Sequence, residues 1–197
     1  MDETLLKQAA HVIADADALL IGAGAGMGVD SGLPDFRGDK GFWNAYPPYA
    51  KLGLNFVALA NPQWFQTDPE LAWGFYGHRL NLYHQTTPHA GFQILRRWAA
   101  RMSHGHFVYT SNVDGHFQRA GFAEERIVEV HGTLRWMQCM RRSCGYLAPV
   151  ADDQPQPVTV DETTMRARPP LPACPKCGGL ARPNNRPGWS VGLARSL

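Results

Sequence analysis

The order of apolar and polar positions along the chain predicts alternating helices and strands. Over residues 4–16, Leu5, Ala9, Val12, Ile13 and Ala16 share one helical face. The apolar run Ala18-Leu19-Leu20-Ile21-Gly22 then reads as a buried parallel strand. Residues 41–86 show no strand alternation and are crowded with aromatics, from Phe42, Trp43 and Tyr46 to Trp73, Phe75, Tyr76 and Tyr83. This stretch predicts a small helical subdomain or lid whose aromatics mostly form core. Thr87-Pro88 has the form of an N-cap followed by proline at the first helical position. Phe92, Leu95, Trp98, Ala99 and Met102 continue from it as an apolar stripe. Short strands are expected over 106–110 and 126–130. Residues 149–173, rich in proline and acid, read as a loop.

Composition narrows the class. A length of 197 residues suits one domain with a small insertion, and 44% hydrophobic residues are enough for a core. The formal net charge is +2 with both signs intermixed, so nothing points to nucleic acid or a membrane surface. No stretch approaches the roughly 20 apolar residues of a membrane span. The acidic start Met1-Asp2-Glu3-Thr4 lacks the form of a signal peptide, and a cytoplasmic location is expected.

Candidate chemistry gathers at the predicted strand ends. The first strand runs into Gly24-Ala25-Gly26-Met27-Gly28-Val29-Asp30-Ser31-Gly32-Leu33-Pro34-Asp35-Phe36-Arg37-Gly38. Glycines after a strand let the backbone approach a pyrophosphate, and the amide N–H groups face the anion. A plain glycine-rich connection is the alternative. Asp35, Phe36 and Arg37 add an acceptor, an apolar plate and a permanent cation. The second strand ends at Ser111-Asn112-Val113-Asp114-Gly115 and the third at His131-Gly132. In such sheets ligands bind at the carboxyl edge. His131 is therefore either a capped histidine at an ordinary strand end or a general base.

The cysteines form a C-x4-C pair, Cys139 and Cys144, and a C-x2-C pair, Cys174 and Cys177. Four thiolates make a closed tetrahedral zinc site with no position for substrate, so the metal would be structural. Two disulfides or a redox C-x-x-C pair are the other readings. A cytosolic setting disfavours the first, and the Cys-Pro-Lys-Cys-Gly-Gly knuckle disfavours the second.

In motif order the chain resembles the sirtuins, the NAD-dependent protein deacylases. Gly24-Ala25-Gly26 and residues 31–38 resemble the family's cofactor loop. Thr110, Asn112, Asp114 and Gly115 resemble its Thr-Gln-Asn-x-Asp-Gly segment, Val130-His131-Gly132 its catalytic histidine motif, and the cysteines its zinc ribbon. The chain departs from the pattern at Ser111, where glutamine is usual, and at Gly28, where serine is usual. The resemblance covers residues 1 to about 183, roughly the first two-thirds of a sirtuin core. It implies an α/β fold: an incomplete Rossmann-like parallel sheet with a helical insertion and a small zinc-ribbon module. On this reading residues 1–135 form the NAD-binding part with its insert at 41–86, and 136–183 form the zinc module. Residues 184–197 form an aberrant tail, explained by a frameshift or truncated reading frame near 184.

The resemblance also implies a reaction. NAD would rest its phosphates on Gly24, Ala25 and Gly26. Asn112 and Asp114 would hold the nicotinamide amide and nearby ribose beside Ser111. Phe36 would shield the reacting carbon, and Asp35 and Arg37 would order the loop and contact the cofactor. The acyl-lysine oxygen of a protein or peptide substrate would attack the ribose. His131 would take a proton from a ribose hydroxyl, which then attacks the alkylimidate. His131 and Asn112 would thus be catalytic. With the adenosine half of the site missing, NAD is expected to bind weakly and apolar surface to be exposed. The alternatives are a catalytically dead fragment acting as an interaction module and an ADP-ribosyltransferase.

Overall fold

The computed structural model describes residues 2–34, 38–150 and 158–184. In chain order, α1 (Glu3–Ala14) leads to β1 (Leu19–Ala23) and the single turn α2 (Gly26–Val29). Four short helices follow: α3 (Gly38–Ala45), α4 (Pro47–Lys51), α5 (Phe56–Leu59) and α6 (Trp64–Thr67). The long α7 (Pro69–Gln85) and α8 (Ala90–Ala99) return the chain to β2 (His106–Thr110), α9 (His116–Arg119) and β3 (Ile127–Glu129). The remainder is β-structure: β4 (Thr133–Cys139), β5 (Leu147–Pro149), β6 (Val160–Asp161), β7 (Arg166–Ala167) and β8 (Ala181–Asn184).

The first sheet has the order β1-β2-β3 and is parallel throughout. Its register runs from Leu19 opposite His106 to Ala23 opposite Thr110, and on to Glu129 beside Thr110. Side chains alternate between faces along each strand. Ile21, Val108 and Ile127 therefore point together into a core with Phe92 of α8 and Phe117 of α9. The other face is bare among the described residues: Leu20 is 74% exposed, Tyr109 54% and Phe107 39%. The expectation of a fully buried strand over 18–22 is thus corrected, because α8 and α9 cover one face only. The apolar face expected on α1 is likewise mostly uncovered. That helix buries none of its residues, and Val12 is 71% exposed. Its start is fixed locally, by Asp2 accepting a hydrogen bond from the Thr4 N–H at 2.9 Å.

A second core is built around α7. Trp73, Phe75 and Tyr76 are completely buried, with Phe42, Tyr46 and Tyr49 packed against them. Burial all round a helix requires neighbours on every side, and here α3–α6, the β6–β7 hairpin and Leu134 of β4 are among them. The hairpin is latched by side chains. Asp68 caps α7 through the Leu71 N–H and pairs with Arg166 at 2.6 Å. Burial works against the Asp68 carboxylate, but its bonds from Arg166 and Leu71 hold its pKa below the usual value. Tyr49 donates to the Met165 carbonyl at 3.0 Å, and Asn81 to that of Val158 at 2.8 Å. The reading of 149–173 as plain loop is corrected here. Two-residue strands are too short to leave a periodic signal. The start of α8 also differs: His89, not Thr87, is the N-cap, and its backbone N–H donates to the Ser31 hydroxyl at 3.0 Å.

The third unit is the antiparallel sheet β5-β4-β8, which carries the cysteines. It is joined to the α7 core by the Trp73 indole, which donates to the Ala181 carbonyl at 3.1 Å.

Candidate functional site

The three parallel strands end in register, so their loops emerge at one edge. Backbone and side-chain bonds tie these loops together. Ser111 N–H and the Thr110 hydroxyl both donate to the Ala23 carbonyl, at 3.1 and 3.2 Å. Val130 N–H donates to the Thr110 carbonyl at 3.0 Å. The Asn112 amide donates to the Gly24 carbonyl at 3.0 Å, and its backbone N–H to the Thr110 hydroxyl at 3.0 Å. Asn112 thus pins the glycine loop to the end of β2. Asp114 is buried and accepts from the His116 N–H at 2.9 Å. Gly132, at φ 74°, makes the turn that leaves His131 exposed at the edge.

A cavity of about 770 Å3 opens at this edge. Ala25, Ser111, Asn112, Asp114 and His131 line it from the sheet side. Phe56, Val57, Tyr76, Arg79 and Tyr83 line it from the helical insert. Gly24 and Gly26 face a neighbouring cleft of about 550 Å3 beside β1, with Gly22, Asp30 and His89. Asp35, Phe36 and Arg37 lie outside the described residues. The predicted cofactor-binding residues that are described therefore fall on two adjoining clefts at one sheet edge.

Three charged residues here escaped the sequence reading. Arg79 is buried, donates to the Tyr83 hydroxyl at 3.0 and 2.7 Å, and lies over the rings of Phe56 and Phe75 at 5.1 Å. Its signal was a single arginine inside the aromatic run of α7. Glu129 is buried at the end of β3, and burial pushes its carboxyl up to about 7. The Thr133 hydroxyl and the Arg135 guanidinium oppose that rise, and Asp114 adds to it. Arg135 packs its side chain against Gly115. Its Nη1 faces Glu124 at 3.6 Å, as an ion pair without a hydrogen bond. An acid inside the apolar run 127–130 was the available signal for Glu129.

The cysteines converge at the far end of β4. All four are free thiols whose sulfurs lie within 4.8 Å of one another. Cys139 and Cys177 are 3.5 Å apart, and Cys144 and Cys174 are 3.7 Å apart. A tetrahedral Zn–S distance of about 2.3 Å requires S···S separations of about 3.8 Å. A disulfide needs about 2.05 Å. The donor set and its spacing fit one structural zinc ion. The close pairs join one cysteine from each motif, so the ion would staple the β4–β5 turn to the 174–177 knuckle.

The sequence matches the Sir2 family over residues 24–185. It is 36% identical over 186 residues to NAD-dependent protein deacylase 1 of Archaeoglobus fulgidus, covering 93% of this chain and 63% of that protein. It is 31% identical over 163 residues to the NAD-dependent protein deacylase of Aquifex aeolicus, covering 81% of this chain and 56% of that protein. The chain therefore spans less than two-thirds of the length of these relatives. A Sir2 homologue solved as its NAD complex is similar in fold, with a TM-score of 0.67 and 32% identity, covering all of this chain and 67% of that one. A mutant Sir2 homologue solved with ADP-ribose has a TM-score of 0.67 and 33% identity, covering all of this chain and 69% of that one. With the family match extending over most of its length and the fold shared along all of it, the chain belongs to the Sir2 family.

Proposed function

We propose that the chain carries the catalytic part of an NAD-dependent protein lysine deacylase. The observation that supports this best is the cavity shared by Ala25, Ser111, Asn112, Asp114 and His131, with Asn112 bonded to Gly24. NAD enters as a substrate. Its phosphates would lie along residues 24–26, and its nicotinamide ribose would reach the cavity between Asn112 and Asp114. Asn112 already donates its amide N–H to the loop, which leaves its amide oxygen to orient the nicotinamide carboxamide. His131, exposed at the cavity edge, would accept a proton from a ribose hydroxyl. That hydroxyl then attacks the carbon of the acyl group, whose oxygen has displaced nicotinamide from the ribose. Water completes the transfer. The products are free lysine, nicotinamide and acyl-ADP-ribose. The cysteine site lies apart from these steps; zinc bound there would hold β4, β5 and the knuckle together.

The cavity wall also bears on the acyl group. Arg79 places a guanidinium on an otherwise mostly apolar wall, beside Tyr76 and Tyr83. A buried cation favours an anionic neighbour. An acyl chain ending in a carboxylate would find in Arg79 a charge partner that an acetyl group cannot use.

The experiment is a product analysis. The chain, and a version extended with the C-terminal third of the Archaeoglobus fulgidus relative, are incubated with NAD and peptides carrying acetyl-lysine or carboxylate-ended acyl-lysine. Products are resolved by mass. Nicotinamide with acyl-ADP-ribose is expected from the extended protein. His131→Ala should reduce it by at least about 100-fold while changing NAD affinity far less. Zinc content without nicotinamide release would leave an interaction module. ADP-ribose retained on a protein acceptor would make the enzyme an ADP-ribosyltransferase.

A further inference from the structure

A second large cavity, of about 860 Å3, lies between the cysteine-bearing sheet and the helical insert. Its cations are Arg141, Arg142 and Arg182, and among the described residues no aspartate or glutamate lines it. Its other polar groups include the amides of Gln63, Gln66 and Gln138, the Tyr146 hydroxyl and the sulfur of Cys139, whose charge the zinc ion and the Arg141 N–H would offset. Arg141 and Arg142 are exposed, and neither forms an ion pair among the described residues. Arg141 is held by a bond to the Cys177 carbonyl at 3.4 Å, so its position is set by the cysteine knuckle. Arg182 lies buried in β8 behind the other two and donates to the Pro183 carbonyl at 3.1 Å.

This groove is continuous with the candidate active site. Asn61 and Pro62 line both cavities. A polypeptide whose acylated lysine enters the first cavity would therefore run its flanking residues along the second. We propose that the groove binds an acidic stretch of the polypeptide substrate, next in sequence to the modified lysine. The proposal rests on the deacylase reading for the identity of the polypeptide, and on charge complementarity for its chemistry. Two exposed arginines on a wall with no carboxylate among the described residues repel basic flanks and attract acidic ones. The neutral amides supply donors and acceptors to an extended backbone without cancelling that field.

The test is binding, which does not depend on turnover. Fluorescent peptides with a central acetyl-lysine and acidic, neutral or basic flanks are titrated with the zinc-loaded chain, and anisotropy is followed. At low ionic strength the acidic peptide should bind about tenfold more tightly than the basic one. The gap should narrow at about 0.15 M salt, where charges are screened beyond about 8 Å. Arg142→Glu should shrink the gap, and Arg141→Glu combined with Arg142→Glu should reverse it. Arg142 makes no side-chain bond among the described residues, so that single variant keeps the test valid if the double variant disturbs the knuckle. Equal binding of all three peptides, no binding of any, or a preference untouched by Arg142→Glu would overturn the proposal. The acidic preference can persist where no deacylation occurs with any peptide, and the groove assignment then stands while the deacylase reading fails. Deacylation without any flank preference does the reverse: the deacylase reading stands and the groove assignment fails.

Discussion

The helical insert and the parallel sheet use similar residues to opposite effect. Around α7, aromatic rings are enclosed by α3–α6, by the β6–β7 hairpin and by Leu134 of β4. In the sheet, Leu20 and Phe107 face outward beside Tyr109, although they are as apolar as their buried neighbours Ile21 and Val108. Side-chain chemistry does not set this difference. It comes from how many elements pack on each region: neighbours all round α7, and helices on a single face of the sheet. The candidate site lies between the two, with Asn112, Asp114 and His131 on the sheet edge and a mostly apolar wall on the insert. Variants that separate the two regions test this contrast.

The largest effect is expected at the staple. Cys174 is buried, and its sulfur lies 3.7 Å from that of Cys144. Structural zinc contributes about 10–16 kcal/mol to the folding of small cysteine sites. Cys174→Ser should abolish metal binding and unfold the β5-β4-β8 sheet. The Trp73 indole would lose its bond to Ala181 as β8 is released. Metal analysis and near-ultraviolet circular dichroism read both events. The parallel sheet, which contains no cysteine, should keep its far-ultraviolet signal.

Next comes a pair of identical substitutions. A Cβ at Gly74, in the middle of α7, would collide with the Met165 carbonyl of the hairpin, whereas one at Gly22 in β1 meets nothing within 4 Å. Alanine is the better helix former by about 1 kcal/mol, so propensity alone favours Gly74→Ala. Packing reverses that. Gly74→Ala should cost about 1–3 kcal/mol, as overpacking does, and Gly22→Ala should change stability by less than about 0.5 kcal/mol. Urea unfolding of the two variants decides between propensity and packing.

The same contrast governs what the sequence discloses. The three parallel strands are legible because short apolar runs end in glycine or polar residues, and the cysteine spacing because it is local; the sheet order and β4–β8 are not. The helical insert can be read from aromatic content without alternation. Periodicity, however, reports a face and not a partner. The stripe on α1 is present, but the described residues cover it only in part, at Ile13. The start of α8 departs from the sequence expectation because His89 is positioned by Ser31, 58 residues earlier, and no local rule carries that bond. Arg79 and Glu129 owe their importance to burial by distant elements, which emerges only once α7 meets the sheet edge. The sequence places Gly24 and Gly26 beside Asn112, and Asn112 does bond to Gly24, yet the loop turns those glycines toward the adjoining cleft.

Glu129 tests the junction of the two regions through pH. Its carboxyl is raised from 4.5 to about 7, mainly by burial. The folded protein therefore holds a proton that the unfolded chain releases near pH 4.5. This contribution to stability is fully present below about pH 4.5 and is lost as pH rises through about 7, with a slope of at most about 1.4 kcal/mol per pH unit. Glu129→Gln keeps the shape and removes the titration. Stability measured by denaturant across pH 4.5–7 should fall less steeply with rising pH in the variant than in the parent. Identical slopes would mean that Glu129 is ionised in the fold.

The smallest expected effect is the most pointed comparison, since it sets two faces of one strand against each other. Val108 is fully buried between Ile21 and Ile127, whereas Phe107, its neighbour in β2, is 39% exposed on the open face. Val108→Ala removes two methyl groups from a packed core and should cost about 1.5–2 kcal/mol. Phe107→Ser, paired with Leu20→Ser, removes far more apolar surface. Leu20 is mostly wet and Phe107 about two-fifths wet, so unfolding stability should move by less than about 1 kcal/mol, below the cost of Val108→Ala. The pair should instead reduce binding of a hydrophobic dye and slow aggregation, since an open apolar sheet face next to the free edge of β1 invites association. A large stability loss from Phe107→Ser would show that this face is packed in solution, and the contrast between the two regions would then fail.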